Sequence, residues 1–121
     1  MATPNIVDVA TINGFTIAGQ LTSDSATDVI DVPAEYTYKI NTIIIANWHG
    51  SVTREVNAWI STDNGSNYKE IASAVSIPSD ATLILIDKSS SFYLDETDLL
   101  RLQAGNNDAL DYIISGEKLT D

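Results

Sequence analysis

Short apolar, β-branched runs separated by polar turns repeat along the whole chain, and no window carries a sustained 3.6-residue period. That pattern constrains the fold more than any other feature. Roughly ten such runs in a chain of this size leave room for sheet and turns and little else. At 121 residues the chain fits one domain able to bury a core. No linker or internal repeat divides it. The expected fold is all-β, a two-sheet antiparallel β-sandwich, jelly-roll-like.

The runs can be placed individually. Ile6-Val7-Asp8-Val9-Ala10-Thr11-Ile12 has strand chemistry, and Asn13-Gly14 suits a type I′ turn into an alternating stretch at 15–21. The first twenty residues therefore read as a hairpin or a pair of strands. Val29-Ile30-Asp31-Val32 is a short strand stopped by Pro33, which lacks an N–H. Residues 36–48 form the strongest strand, with Tyr36, Tyr38, Ile40, Thr42, Ile44, Ala46 and Trp48 on one face and Ile43 and Ile45 on the other. A strand apolar on both faces belongs inside a sheet. Residues 53–60, 68–77, 82–86, 92–94, 99–104 and 110–115 supply further strands, and 116–121 reads as a tail.

Ser61-Thr62-Asp63-Asn64-Gly65-Ser66-Asn67-Tyr68 looks like an Asp-box, a structural hairpin turn, and predicts a hairpin between its flanking strands. Sheet edges must be paired, covered or charged. Lys39, Lys69 and Lys88 can guard some of them, whereas the N-terminal run has only Asp8 before Asp24.

Chemistry is sparse. His49 is the only histidine, it sits in a turn, and no Gly-x-Ser-x-Gly elbow accompanies it. The chain has no cysteine, so disulfides and thiolate metal sites are excluded, and one histidine makes zinc a poor fit. Asp63-Asn64-Gly65 and Asp95-Glu96-Thr97-Asp98 are the best calcium candidates. Neither follows the twelve-residue loop pattern, and Asp and Asn are ordinary turn formers. Paired carboxylates in the 95–98 turn raise glycoside hydrolysis, but a sandwich of this size rarely has loops to build a cleft. The expectation is no catalytic residue, no metal and no cofactor.

Formal net charge is −11, which repels nucleic acid and anionic membrane surfaces. The N-terminus has no signal-peptide character, and no run is long enough for a membrane span. Synthesis as a soluble cytoplasmic chain follows. Trp48, Trp59 and the tyrosines offer aromatic surface. Trp59 alternates with the inward set Val56, Ala58 and Ile60, so it faces outward or is covered by a second layer.

Ala2-Thr3-Pro4-Asn5-Ile6-Val7, Pro78-Ser79-Asp80-Ala81-Thr82-Leu83, the run from Phe92-Tyr93-Leu94 through Leu99-Leu100-Arg101-Leu102, and Asp111-Tyr112-Ile113-Ile114-Ser115 carry a resemblance. Over most of its length the chain resembles small structural proteins of tailed bacteriophages, notably those of marine cyanobacteria. Members often show Gly-Asp where this chain has Thr97-Asp98, and a threonine is expected to hold that turn to negative φ. The resemblance implies a non-enzymatic virion component built as a β-sandwich, made in the host cytoplasm.

The leading expectation is a capsid decoration (cement) protein, a homotrimer on the head exterior that binds the major capsid protein. Residues 1–12 would form a contact arm able to add a strand to a neighbour, and 13–121 the sandwich. Contact candidates are Ile6, Val7, Val9, Ile12, Trp48, Trp59 and Tyr68. The alternative is a tail, neck or fibre component partnered with tail proteins, with a glycan-binding face that uses Trp48 or Trp59. A hydrolase centred on His49 is the third reading.

Overall fold

The computed structural model describes residues 11–21, 26–105 and 110–120. Among the described residues nine strands form two antiparallel sheets: β1 Thr11–Leu21, β2 Thr27–Asp31, β3 Thr37–Asn47, β4 Arg54–Ser61, β5 Lys69–Ile77, β6 Ala81–Ile86, β7 Phe92–Leu94, β8 Leu99–Ala104 and β9 Leu110–Thr120. A 3-10 turn, Lys88–Ser90, is capped by the Asp87 carboxylate and separates β6 from β7. The first sheet runs β1-β9-β3-β6, with β7 beside β3, and the second runs β2-β8-β4-β5. Pairing therefore works inward from the two ends of the chain: β1 with β9, β2 with β8, β3 with β6 and β7, β4 with β5. A long antiparallel ribbon rolled over on itself gives this order, which is the jelly roll expected from the sequence. Among the described residues no helix is long and apolar enough to cross a membrane.

The core lies between the sheets. Ile40, Ile43, Ile45, Leu110 and Ile114 from the first meet Ile30, Val56, Ala58, Leu100, Leu102 and Ala104 from the second. Each fully buried valine, leucine or isoleucine side chain contributes about 1.5–3 kcal/mol. Phe15 and Tyr38 meet with ring centroids 5.3 Å apart, Tyr36 and Tyr38 at 6.1 Å, and the Lys118 ammonium lies 5.4 Å and 5.3 Å from the Phe15 and Tyr38 centroids.

Several expectations are corrected. Asn13 and Gly14 are not a turn: β1 runs straight through them, opposite Lys118 and Glu117. The supposed tail at 116–120 is strand, because β9 continues to Thr120 between β1 and β3. With β9 supplying partners along the whole of β1, the local turn preference of Asn-Gly is overridden. Thr11 and Ile12 are the first two residues of β1, and residues 1–10 lie outside the described ones. The one-face reading of β3 fails at Asn41, where Ile40 pairs Gly116 and Thr42 pairs Ser115. That extra residue is a bulge, which reverses the alternation. Tyr38 and Ile40 point inward before it, and Ile43, Ile45 and Asn47 after it. Lys39 guards no edge, since β3 is paired on both sides there.

The 95–98 turn docks against the 32–37 segment. The Val32 N–H donates to the Asp98 carbonyl at 3.0 Å and the Thr97 N–H to the Val32 carbonyl at 2.9 Å. Thr97 has φ of 67°, not the negative value expected of a β-branched residue. A left-handed backbone costs an L-residue with a Cβ about 1–2 kcal/mol. Thr97→Gly keeps both hydrogen bonds and removes the strain, at the cost of a more mobile unfolded chain. It is expected to raise unfolding free energy by about 1 kcal/mol, measured by urea titration. A variant less stable than the parent would show that the threonine side chain holds the turn.

Candidate interaction surface

The turns that held the sequence's chemical candidates are occupied with holding themselves together. At the β4–β5 hairpin the Asp63 carboxylate accepts from the Asn67 N–H at 2.8 Å, from the Asn67 side-chain amide at 2.9 Å and from the Ser61 hydroxyl at 2.9 Å. The bonds from Asn67, then from Ser61, hold its carboxyl below the ordinary range. In the 95–98 turn, Asp98 accepts from the Asp95 N–H at 2.8 Å, Glu96 from the Glu35 N–H at 2.8 Å, and Asp95 from the Thr37 hydroxyl at 3.2 Å. Burial pushes the Asp98 carboxyl up, against the lowering effect of its hydrogen bond. His49 is tied into its turn in the same way. Its N–H donates to the Asn47 side chain at 3.1 Å, and its Nδ1 accepts from the Ser51 N–H at 3.2 Å. Among the described residues no three His, Asp or Glu gather where they could hold a metal.

What remains is surface, and the two sheets differ in what they present. On the outside of the second sheet, Asp28, Arg101, Trp59 and Glu70 form one cross-strand row. Arg101 Nε is 2.8 Å from the Asp28 carboxylate, and its guanidinium carbon lies 3.8 Å from the centre of the Tyr68 ring. The Tyr68 hydroxyl accepts from Arg101 at 2.8 Å. The bond to Asp28 is the first reason that the Arg101 pKa is raised, while burial and then Asp28 push the Tyr68 phenol up. Trp59 thus lies on the outer face, half-buried, rather than under a second layer. Tyr68 and Arg101 already satisfy each other, and a half-exposed ion pair of this kind contributes under about 1 kcal/mol.

The outside of the first sheet is different. Ala18 pairs with Ile113, Ile113 with Ile44, and Ile44 with Ile84, so one apolar row crosses four strands. Ile84 is 62% exposed and Ile113 42%. The next row, Thr16–Ser115–Thr42, is uncharged, and the row on the other side, Gln20–Asp111–Ala46–Thr82, carries one charge. Trp48, 51% exposed, follows the end of β3. β1 is one free edge of the sheet, eleven residues with no charged side chain and no second neighbour among the described residues, and the shorter β6 lies at the other end of the order.

The predicted contact residues therefore do not make one site. Ile12 is 54% exposed at the end of the first sheet remote from Trp48, while Trp59 and Tyr68 are on the other sheet. Ile6, Val7 and Val9 lie outside the described residues. The isoleucine row was missed. Its signal was present in three adjacent apolar runs, Ile43-Ile44-Ile45, Leu83-Ile84-Leu85 and Ile113-Ile114, each of which must turn at least one side chain outward.

No protein-family model matches the chain, and no curated protein matches its sequence. Solved structures do match in fold. The chain is similar to one from the acid-stable capsid of Helicobacter pylori bacteriophage KHP30, with a TM-score of 0.53 and 5% identity over 93% of this chain and 90% of that one. It is similar to a chain of the infectious bursal disease virus particle, with a TM-score of 0.50 and 7% identity over 92% of this chain and 31% of that one. The Drosophila NLP core gives a TM-score of 0.47 at 15% identity, over 86% of this chain and 96% of that one. Fold and surface together define a jelly-roll module whose distinctive features are its outer faces and its free strand edge.

Proposed function

We propose that the protein is a non-enzymatic structural component of a bacteriophage particle, and within the particle a capsid decoration protein that self-associates on the head exterior. The observation that carries the reading is the uncharged β1 edge, without a second strand beside it among the described residues, next to an apolar outer row on a chain of net charge −11. Strong negative charge keeps free copies apart and soluble. The uncharged edge and face are where contact costs no charge desolvation. The resemblance to tailed-phage structural proteins and the fold likeness to a phage capsid chain support the same reading. Residues 1–10, which precede β1 in the sequence, are the contact arm in this scheme, able to add strand pairing onto a neighbour.

Quantifying the protein against the major capsid protein in purified particles tests the assignment. Near-stoichiometric abundance is expected. Trace abundance would move the protein to the tail, neck or fibre, and absence from particles would overturn the virion reading. Deleting residues 1–10 is expected to leave far-ultraviolet circular dichroism unchanged and to abolish co-sedimentation with particles. A truncated chain that still binds normally removes the arm from the scheme.

A further inference from the structure

The row Ala18–Ile113–Ile44–Ile84 points to its own counterpart: we infer that the outer face of the first sheet is the surface on which two copies of this chain pack face to face. This deepens the self-association in the proposed function and rests on it. Two observations select a second copy over another occupant. The first is charge. The chain is strongly acidic, and the second sheet's outer row alone holds Asp28, Arg101 and Glu70. The isoleucine row and the Thr16–Ser115–Thr42 row beside it hold no charge at all. A basic partner would be drawn to the acidic surfaces and would leave this face bare. A partner equally acidic is repelled everywhere except where both surfaces are neutral, which is the situation of a second copy.

The second observation is size. Four strands spaced about 4.8 Å apart, with side chains alternating along a rise of about 3.4 Å per residue, give a face of roughly 500 Å² over the rows from Gly14 to Gln20. Its two end rows, Gly14–Glu117–Lys39–Tyr93 and Gln20–Asp111–Ala46–Thr82, carry charges and form the rim of the two neutral rows between them. Two such faces bury about 1,000 Å², the lower limit for a specific interface. Sheets packed this way sit about 10 Å apart with interdigitating side chains. A two-fold axis near Ile44 and Ile113 would set row against row. Exposed isoleucine at the middle of such a face then has the apolar partner that solvent denies it.

Sedimentation equilibrium of the full chain tests the pairing, at salt concentrations of about 0.05 and 0.5 M. The parent is expected to be a reversible dimer that tightens with salt, because screening weakens the repulsion between like-charged copies. Ile84→Glu and Ile113→Glu place a charge in the row and are expected to weaken pairing at least ~10-fold. Ile84→Thr keeps a β-branched residue on the strand and should weaken it less, which guards against a variant that fails through misfolding. A parent that stays monomeric at both salt concentrations overturns the inference. So does an oligomer that persists in the glutamate variants, or one that loosens with salt. A monomeric parent that still binds particles removes the pairing and leaves the virion reading standing. A paired protein absent from particles supports the pairing and removes the virion reading.

Discussion

Gly116→Ala is expected to lower unfolding free energy by about 3 kcal/mol or more, a large part of the roughly 5–15 kcal/mol that holds a domain folded. Gly116 sits on β9 opposite Ile40 of β3, at the point where the Asn41 bulge pushes the β3 backbone toward its neighbour. A Cβ built there falls far inside contact with the Lys39 carbonyl oxygen, 3.0 Å from the Lys39 carbonyl carbon and 3.2 Å from the Ile40 Cα. All three are backbone atoms of the central pairing in the sheet, so no side chain can rotate out of the way. Relief would require separating β3 from β9 or undoing the bulge, and undoing the bulge turns Ile43 and Ile45 out of the core. Two glycines on β1, the strand on the other side of β9, provide controls. At Gly19 the added Cβ meets the Tyr112 hydroxyl at 2.6 Å, the far end of a side chain that can pivot, so Gly19→Ala should cost about 1 kcal/mol. At Gly14 the nearest atom is 3.9 Å away, and Gly14→Ala should be close to neutral. Urea titration of the three variants is expected to rank Gly116 far below Gly19, and Gly19 below Gly14. A Gly116→Ala chain within about 0.5 kcal/mol of the parent would mean that the β3–β9 ladder is looser than drawn.

The same bulge marks the limit of what the sequence discloses. Strand chemistry is local: Val, Ile, Thr and aromatic residues in short runs announce strands wherever they occur, and the Asp63 turn announces its hairpin through side chains that bond their own backbone. Both were legible, and so was the sandwich they imply. Which face of β3 is inward depends on one unpaired residue, Asn41, whose effect arises only when β9, more than sixty positions further along the chain, lies alongside. Asn13-Gly14 has the composition of a turn. It is strand because residues 117 and 118 provide its ladder, and nothing near position 13 says so. The contact surface suffered most from this. Trp48, Trp59 and Tyr68 draw attention by residue type, yet the structure scatters them between sheets. Ile44, Ile84 and Ile113 look like core in the sequence and become one external row only through register.

Asn47 supplies a second large effect, and a link from stability to the exposed surface. It ends β3 with its side chain buried between the sheets. Its amide donates to the Val52 carbonyl at 2.8 Å, the Ile77 carbonyl at 2.9 Å and the Pro78 carbonyl at 3.3 Å, and its oxygen accepts from the His49 N–H. One side chain thereby joins the end of the first sheet, the turn after it and the end of β5 in the second. The Asp80 N–H donates to the His49 carbonyl at 3.2 Å and closes the same junction. Asn47→Leu fills the volume but leaves buried carbonyls facing hydrocarbon, at about 1–3 kcal/mol for each one that finds no water. A loss of about 3 kcal/mol is expected in urea titration. Asn47→Asp should be worse at neutral pH, because a carboxylate would face three carbonyl oxygens. Its folded-state pKa would be raised, so its deficit relative to the parent should shrink as pH falls through that value and the side chain becomes a donor again. Trp48, the next residue, reports on the junction directly: in both variants its emission should become more solvent-exposed before global unfolding begins. An Asn47→Asp deficit that does not change between about pH 7 and pH 4 would show that water reaches the junction and that the side chain is not the buried donor the geometry describes.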